Sequence, residues 1–114
     1  GLFGEAQRFP ARMKERTACF AFGQVPAPEL EAHENVELVL RPQRISIAAA
    51  SGPSDFHIVD VRFRGSHWLV IVGTNEVPGA ALHVHVSDAQ GFDAGMPVSL
   101  SFDAEGTFVF PAAI

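Results

Sequence analysis

The amino-acid sequence predicts an all-β fold in which short antiparallel strands form a small barrel or a sandwich. Along most of the chain, apolar and polar residues alternate with a period of two, which is typical of strands with one buried face. Short turns rich in glycine, proline, asparagine and aspartate separate these runs. Only residues 28–34 have a helical composition, and that segment is long enough for roughly two turns at most. Many short strands joined by such turns favour a barrel or a sandwich.

The 114-residue chain has the length of one domain, and residues 1–114 are treated as a single unit that buries one modest core. Its hydrophobic fraction of 47% and its charged fraction of 18% are those of a globular domain. The net charge is −5 and Lys14 is the single lysine, which argues against nucleic acid or anionic lipid as a partner. The one cysteine, Cys19, cannot form an internal disulfide, so we expect a reducing compartment.

The start of the sequence indicates a piece of a longer protein. Gly1 stands where an initiator methionine would be, and no basic region precedes an apolar stretch, so a secretion signal is not predicted. No apolar run approaches the roughly 18 residues that a membrane-spanning helix needs. We therefore treat the chain as a fragment of a longer protein.

In the first half of the chain, two weak strands are predicted at residues 7–13 and 17–22. A stronger strand follows, because Val36, Leu38 and Leu40 all point to one side.

The pair Arg41-Pro42 then interrupts what would otherwise be one long strand. Proline has no N–H to give to a ladder and holds φ at about −65°, so it belongs at a strand end, an edge or a bulge. We expect Pro42 to end the strand, and Ile45 and Ile47 to resume the inward register in a new direction. Arg41 is expected to bind a carboxylate or a carbonyl at this corner.

A hairpin is predicted around Gly65-Ser66, between strands at residues 56–64 and 67–73. Residues 68–72 show no alternation, which fits a strand buried on both faces. The apolar residues of the first strand are expected to share the inner face and the charged ones the outer face: Val59, Val61 and Phe63 inside, and Asp60, Arg62 and Arg64 outside.

Two later runs alternate strictly and predict two further half-buried strands. Leu82, Val84 and Val86 alternate with His83 and His85. Val98, Leu100 and Phe102 alternate with Ser99, Ser101 and Asp103.

The motifs of nucleotide hydrolysis and acyl transfer are missing. A phosphate-binding loop needs Gly-Lys-Ser/Thr, and Lys14 lies between Met13 and Glu15. There is no Gly-x-Ser-x-Gly turn, and Cys19 has the apolar neighbours of a core residue. We predict no catalytic residue and no enzymatic activity in this chain.

His83 and His85 are the one pair with the spacing of metal ligands, because residues two apart project from the same face of a strand. A third ligand from His57 or His67 would be needed for zinc or copper. The alternative is a solvated sheet face that carries polar side chains, and it is favoured because two ligands do not make a site.

The arginines offer a candidate contact for an anion. Arg62 and Arg64 alternate with Asp60, which fits either a solvated face with ion pairs or an oxyanion site, to which Arg41 would add a third guanidinium. Nucleic-acid binding on a small barrel would require aromatic residues on a basic face. The phenylalanines are instead predicted to lie mainly on the inward register, and the chain has no tyrosine.

Several short motifs follow one another in a definite order along residues 3–111. They are Phe3-Gly4-Glu5-Ala6, Leu40-Arg41-Pro42-Gln43 with Ile45, Val59-x-Val61-x-Phe63-x-Gly65, Gly95-Met96-Pro97-Val98-x-Leu100-x-Phe102 and Phe108-Val109-Phe110-Pro111. Together they resemble the C-terminal TOBE-type regulatory domain of the ATP-binding subunits of bacterial ABC importers, which serve maltose, ferric-iron, polyamine and sulfate uptake.

This resemblance implies an OB-like barrel appended to a nucleotide-binding domain that would hold ATP and Mg²⁺, with no cofactor in the present chain. It also implies a second copy of the subunit as a dimer partner and permease subunits that are reached through the missing domain. A regulatory protein or the transported solute would act on the regulatory domain. The full-length complex would be cytoplasmic and peripheral on the inner face of the bacterial plasma membrane.

The chain departs from the family pattern at several positions. Gln43 replaces the usual glutamate, Gln7 stands where asparagine is common, and the Ser-Ala-Arg-Asn-Gln type of motif of molybdate-binding relatives is missing. The motifs resemble the ferric-iron and polyamine members slightly more than the sugar importers. Three functions stay open: a regulatory and dimerisation domain, a sensor of a small oxyanion or metal ion, and an OB-like nucleic-acid binder, which the acidic charge disfavours.

Overall fold

A computed structural model describes residues 6–112, and in this part of the chain every regular element is a strand or a short 3-10 turn. The all-β prediction is therefore confirmed. No helix among these residues has the length and hydropathy needed to cross a membrane. The strands are β1 (Gln7–Lys14), β2 (Thr17–Phe20), β3 (Gly23–Pro26), β4 (Asn35–Leu40), β5 (Ile45–Ala49), β6 (Phe56–Phe63), β7 (Trp68–Thr74), β8 (Ala81–Val86), β9 (Val98–Phe102) and β10 (Thr107–Pro111).

The described strands form three antiparallel sheets that curl around one core. The largest sheet has the strand order β10-β4-β1-β2-β3, the second pairs β5 with β9, and the third has the order β6-β7-β8. The core lies between them and is built from one face of each strand, as the period of two predicts. Its most deeply buried side chains include Phe22, Leu38, Leu40, Ile58, Val70, Val72, Leu82, Val84 and Val98.

Five phenylalanines pack in tilted and edge-to-face pairs and connect the large sheet to its two neighbours. The ring of Phe20 lies 5.5 Å from that of Phe9 and 5.3 Å from that of Phe102 on β9. Phe22 lies 5.6 Å from Phe9 and 6.0 Å from Phe56 on β6. Tilted aromatic pairs at such distances add roughly 0.5–1.5 kcal/mol each beyond the area that they bury.

The Arg41-Pro42 pair marks a corner at which two paired strands bend together. β4 pairs with β10 up to Leu40 and Thr107, and β5 pairs with β9 from Ile45 and Phe102 onwards. Between these ladders lies one 3-10 turn on each strand, Pro42–Arg44 and Ala104–Gly106. The predicted break after Leu40 is confirmed, and its reason is that both strands pass here from one sheet to another.

The two 3-10 turns are joined directly. The N–H of Arg41 donates to the carbonyl oxygen of Gly106, and the N–H of Asp103 donates to that of Arg44, both at 3.3 Å. Arg44 Nη1 lies 3.2 Å from Asp103 Oδ2, while the other oxygen of Asp103 accepts the N–H of Glu105 at 2.9 Å. A Cβ added to the buried Gly106 would overlap the side chain of Arg44, so the close approach of the turns requires glycine at this position.

The hairpin predicted at Gly65-Ser66 is confirmed, with Phe63 paired to Trp68 across the turn and Gly65 at a φ of +91°. The inner face predicted for its first strand is wrong in part. Val59 and Phe63 are 52% and 60% exposed, whereas Ile58 is fully buried. A β-bulge between Ile58 and Asp60 turns Val59 outward. Phe63 pairs with Trp68 and is exposed because it lies at the hairpin end of the strand.

Other differences are local. Residues 17–22 were predicted as one strand, but β2 ends at Phe20 and a turn leads into β3, which the sequence analysis did not predict. The strand is short and holds Gly23 and Pro26, both of which are depleted in strands. The helical composition of residues 28–34 corresponds to one 3-10 turn, Pro28–Leu30.

Candidate functional site

A cleft lies on the outer face of the β6-β7-β8 sheet, where histidines from two strands come together. In the ladder between β7 and β8, Leu69 pairs with His85 and Ile71 with His83, so these four side chains share one face. The cleft has a volume of about 560 Å³, and the residues that line it include Gln7, Arg64, His67, Leu69, His83 and His85. We call it the histidine cleft. Its size is within the range of small-molecule sites.

His67 joins this group from the hairpin that connects β6 and β7. The centroids of the His67 and His85 rings are 4.1 Å apart and the ring planes are inclined by 35°. Ser66 Oγ lies 3.0 Å from Nδ1 of His67, within hydrogen-bond distance. The hairpin thus brings an imidazole against β8 and places Arg64 at the rim.

Gln7 closes the cleft on the side of the large sheet. Its side-chain amide donates to the carbonyl oxygen of His83 at 2.8 Å and accepts the N–H of His83 at 2.7 Å. The two bonds satisfy the outward-facing backbone groups of β8 and link it to β1. The turn Pro42–Arg44 packs beside the same strand, with Pro42 buried against the cleft.

The metal-ligand candidates are only partly assembled. His83 and His85 lie on one face of β8 as predicted, and His67 approaches them, but His57 lies on β6 beside Gly73. Among the residues that the structure describes, no three His, Cys, Asp or Glu side chains are grouped closely enough to hold a metal ion.

The three candidate anion-binding arginines lie in three different places. Arg62 donates from Nε to Asp60 Oδ2 at 2.6 Å. This hydrogen bond, helped by the N–H of Val61, lowers the pKa of the Asp60 carboxyl. Arg64 lines the histidine cleft, and the guanidinium carbon of Arg41 lies 5.6 Å above the ring of Phe108.

The second surface with functional character is the outer face of β10, which the sequence analysis did not predict. Phe108 and Phe110 are 39% and 48% exposed, and they lie beside Val39 and the guanidinium groups of Arg8 and Arg41. These residues line a depression of about 550 Å³. We call it the β10 face. In the described part of the chain β10 is also an edge strand, because β4 is its one neighbour in the sheet.

Neither site could be predicted completely from the sequence. The phenylalanines of the chain were expected to lie mainly on the inward register, and Phe108 and Phe110 do not. Instead Val109 packs on the core and the phenylalanines face outward. Nothing in the sequence indicated a role for Gln7, except that asparagine is common at this position in the family.

Some residues of the family motifs take part in the packing and the strand pairing of the described fold. Val98 is fully buried, and the N–H of Gly95 donates to the carbonyl oxygen of Ile58 at 2.7 Å. Pro111 pairs with Val36 at the end of β10. Phe3, Gly4 and Glu5 lie outside the described residues.

The curled sheets, the corner at Pro42 and the histidine cleft define a small all-β domain of the OB-like class. A family model described as TOBE domain matches residues 38–110, which is more than half of the chain. The chain therefore belongs to the TOBE domain family. The matched region begins within β4 and ends within β10, so it includes both turns of the corner.

A solved structure supports the fold. The chain is similar to the cytoplasmic molybdate-binding protein ModG in a crystal form with molybdate bound, with a TM-score of 0.64. The similarity covers 93% of this chain and 96% of that one, at 10% sequence identity. At this identity the comparison establishes the OB-like TOBE fold. No curated protein sequence matches the chain.

Proposed function

We propose that the chain is the regulatory and dimerisation domain of the ATP-binding subunit of an ABC importer. Membership of the TOBE family and the order of the motifs from Leu40 to Pro111 support this assignment. The observation that carries it is the β10 face, since exposed aromatic residues on a strand whose one described neighbour is β4 are suited to contact another protein.

The proposed partner at the β10 face is a second copy of the chain. Two antiparallel β10 edges pair through main-chain hydrogen bonds, and Phe108 and Phe110 of both copies then cover each other. Such a contact biases the opening and closing of the attached ATPase halves if it differs between the two states.

The remaining parts of the proposal concern the whole transporter. The nucleotide-binding domain would lie upstream and hold ATP and Mg²⁺, and the permease subunits would be contacted through that domain. The complex would lie on the cytoplasmic side of the bacterial plasma membrane, with ferric iron or a polyamine as the favoured solute. A phosphate-binding loop encoded upstream of Gly1 supports this assignment, and an upstream region without one overturns it.

The dimer surface is tested by sedimentation equilibrium. The wild-type chain is expected to dimerise at micromolar to millimolar concentration, and Phe110→Glu to shift it to the monomer, because a carboxylate is costly to bury in this contact. Val77→Glu is the matched control, since Val77 is similarly exposed, at 45%, but lies outside the β10 face. A monomeric wild-type chain, or equal effects of both variants, contradicts the assignment of the surface.

A second candidate function is the recognition of a small oxyanion, and the fold similarity to molybdate-bound ModG favours it. Calorimetric titration with molybdate and sulfate tests this function. Binding at sub-millimolar concentration supports it, and no heat with either anion removes it.

A further inference from the structure

We infer that the histidine cleft binds an organic anion with at least two negative charges, a phosphate monoester or a polycarboxylate. The inference rests on the second proposed function, the recognition of a small anion, and gives it a site and a ligand class. The site is formed within one chain and lies apart from the β10 face: of the described residues, the two surfaces share Ala6 alone.

The chemistry of the lining supports an anion. Arg64, His67, His83 and His85 supply one guanidinium and three imidazoles, and the described residues that line the cleft include no carboxylate. This arrangement is unusual in a chain of net charge −5. Guanidinium and protonated imidazole groups donate the charge-assisted hydrogen bonds that phosphate and carboxylate oxygens accept.

Among the described residues, the charged side chains next to the cleft are paired with one another or directed elsewhere. On β6, Asp60 and Arg62 lie on the same side of the sheet but are paired with each other at 2.6 Å. In the turn beside β8, Arg44 is directed to Asp103. β5, which also packs near β8, has no titratable side chain.

The size of the cleft indicates an organic ligand. An inorganic oxyanion has five heavy atoms, whereas a volume of about 560 Å³ is that of a site for a whole small molecule. The buried side chains of Leu69 and Pro42 and the paired rings of His67 and His85 provide apolar surface against which a carbon skeleton can pack. The anionic group would then lie at the rim, near Arg64.

The inference is tested by NMR titration of the 114-residue chain with four probes: citrate, glycerol 3-phosphate, sulfate and molybdate. Citrate or glycerol 3-phosphate is expected to shift the amide signals of β7 and β8. The probe that binds shows whether the ligand is a phosphate monoester or a polycarboxylate. Arg64→Gln and His85→Gln are each expected to weaken this binding about tenfold or more.

Arg12→Gln is the control, because it removes the same charge from a residue paired with Glu34 outside the cleft. The inference is overturned if neither organic probe binds, or if Arg12→Gln weakens binding as much as the two cleft variants do. If neither organic probe binds but molybdate or sulfate shifts signals elsewhere in the chain, unchanged by the cleft variants, oxyanion recognition is supported while the cleft is overturned. Dimerisation is measured separately and does not depend on these outcomes.

Discussion

Gln7 and His83 are 76 residues apart in the chain and exchange two hydrogen bonds, of 2.8 and 2.7 Å, between the side-chain amide of one and the backbone of the other. A glutamine side chain thus takes the place of a neighbouring strand at the free edge of β8. The large sheet and the three-stranded sheet are connected at this point without a continuous ladder between them.

Loss of this connection should lower stability. Gln7→Ala is expected to reduce the free energy of unfolding by about 1–2 kcal/mol, because two hydrogen bonds are lost and water can reach the exposed groups. Gln7→Glu keeps the acceptor but loses the donor, and should also destabilise the chain. Urea unfolding measures both, with the exposed Gln24→Ala as the control. Equal stability of Gln7→Ala and wild type would contradict the role of the bridge.

The contact between the two 3-10 turns predicts a strong effect at Gly106. Gly106→Ala places a Cβ against the side chain of Arg44, which must move away from Asp103, at an expected cost of about 1–3 kcal/mol. Gly52→Ala is the control, since nothing lies within 4 Å of an added Cβ there. Thermal unfolding of the two variants should separate them clearly, and a shared melting temperature would show that the turns can move apart freely.

Pro42 contributes to the same corner through its buried ring. Pro42→Gly is expected to cost about 1–3 kcal/mol, since it removes buried apolar surface and gives the unfolded chain more freedom. Pro53 is exposed, so Pro53→Gly gives the unfolded chain more freedom without removing buried surface, and it should cost about 0.4–1 kcal/mol. Chemical denaturation compares the pair. If Pro53→Gly were the more damaging change, the corner would have no special part in stability.

The ion pair between Asp60 and Arg62 makes the stability of the fold depend on pH. The hydrogen bond from Arg62 lowers the pKa of Asp60, so the folded state is favoured while Asp60 is ionised. This contribution is present above the ordinary aspartate value of about 3.9 and is lost as the pH falls through the lower pKa of the folded state. Arg62→Gln should raise the pKa of Asp60 towards the ordinary value, as followed by carboxyl NMR signals. An unchanged titration would identify another cause, and Arg12→Gln controls for net charge.

The parts of the fold that were predicted correctly depend on strict local patterns. Alternation placed Leu82 and Val84 in the core, and the missing N–H of Pro42 located the corner. The outward position of Val59 was missed because the bulge after Ile58 leaves no mark in the alternation of Val59, Val61 and Phe63. The residues alternate as the sequence indicates, but the extra residue of the bulge turns Val59 outward.

The candidate sites were harder to predict, because they are assembled from distant segments. The sequence predicted that His83 and His85 share one face. It did not predict that His67 packs against His85 or that Gln7 bonds to the edge of β8. The outward orientation of Phe108 and Phe110 depends on β10 pairing with β4, some seventy residues earlier in the chain.

That pairing has a consequence for synthesis of the protein. β4 lies between β1, which is made before it, and β10, which is made last of the ten strands. While the ribosome is still adding Val98–Phe102, the outer edge of β4 has no partner among the strands already made, and Val39 lacks the cover of Phe108. Hairpins such as β6–β7 can form early, but the large sheet is complete only after Thr107–Pro111 has left the exit tunnel. Until then the nascent chain exposes an edge that a chaperone or a second nascent chain can occupy.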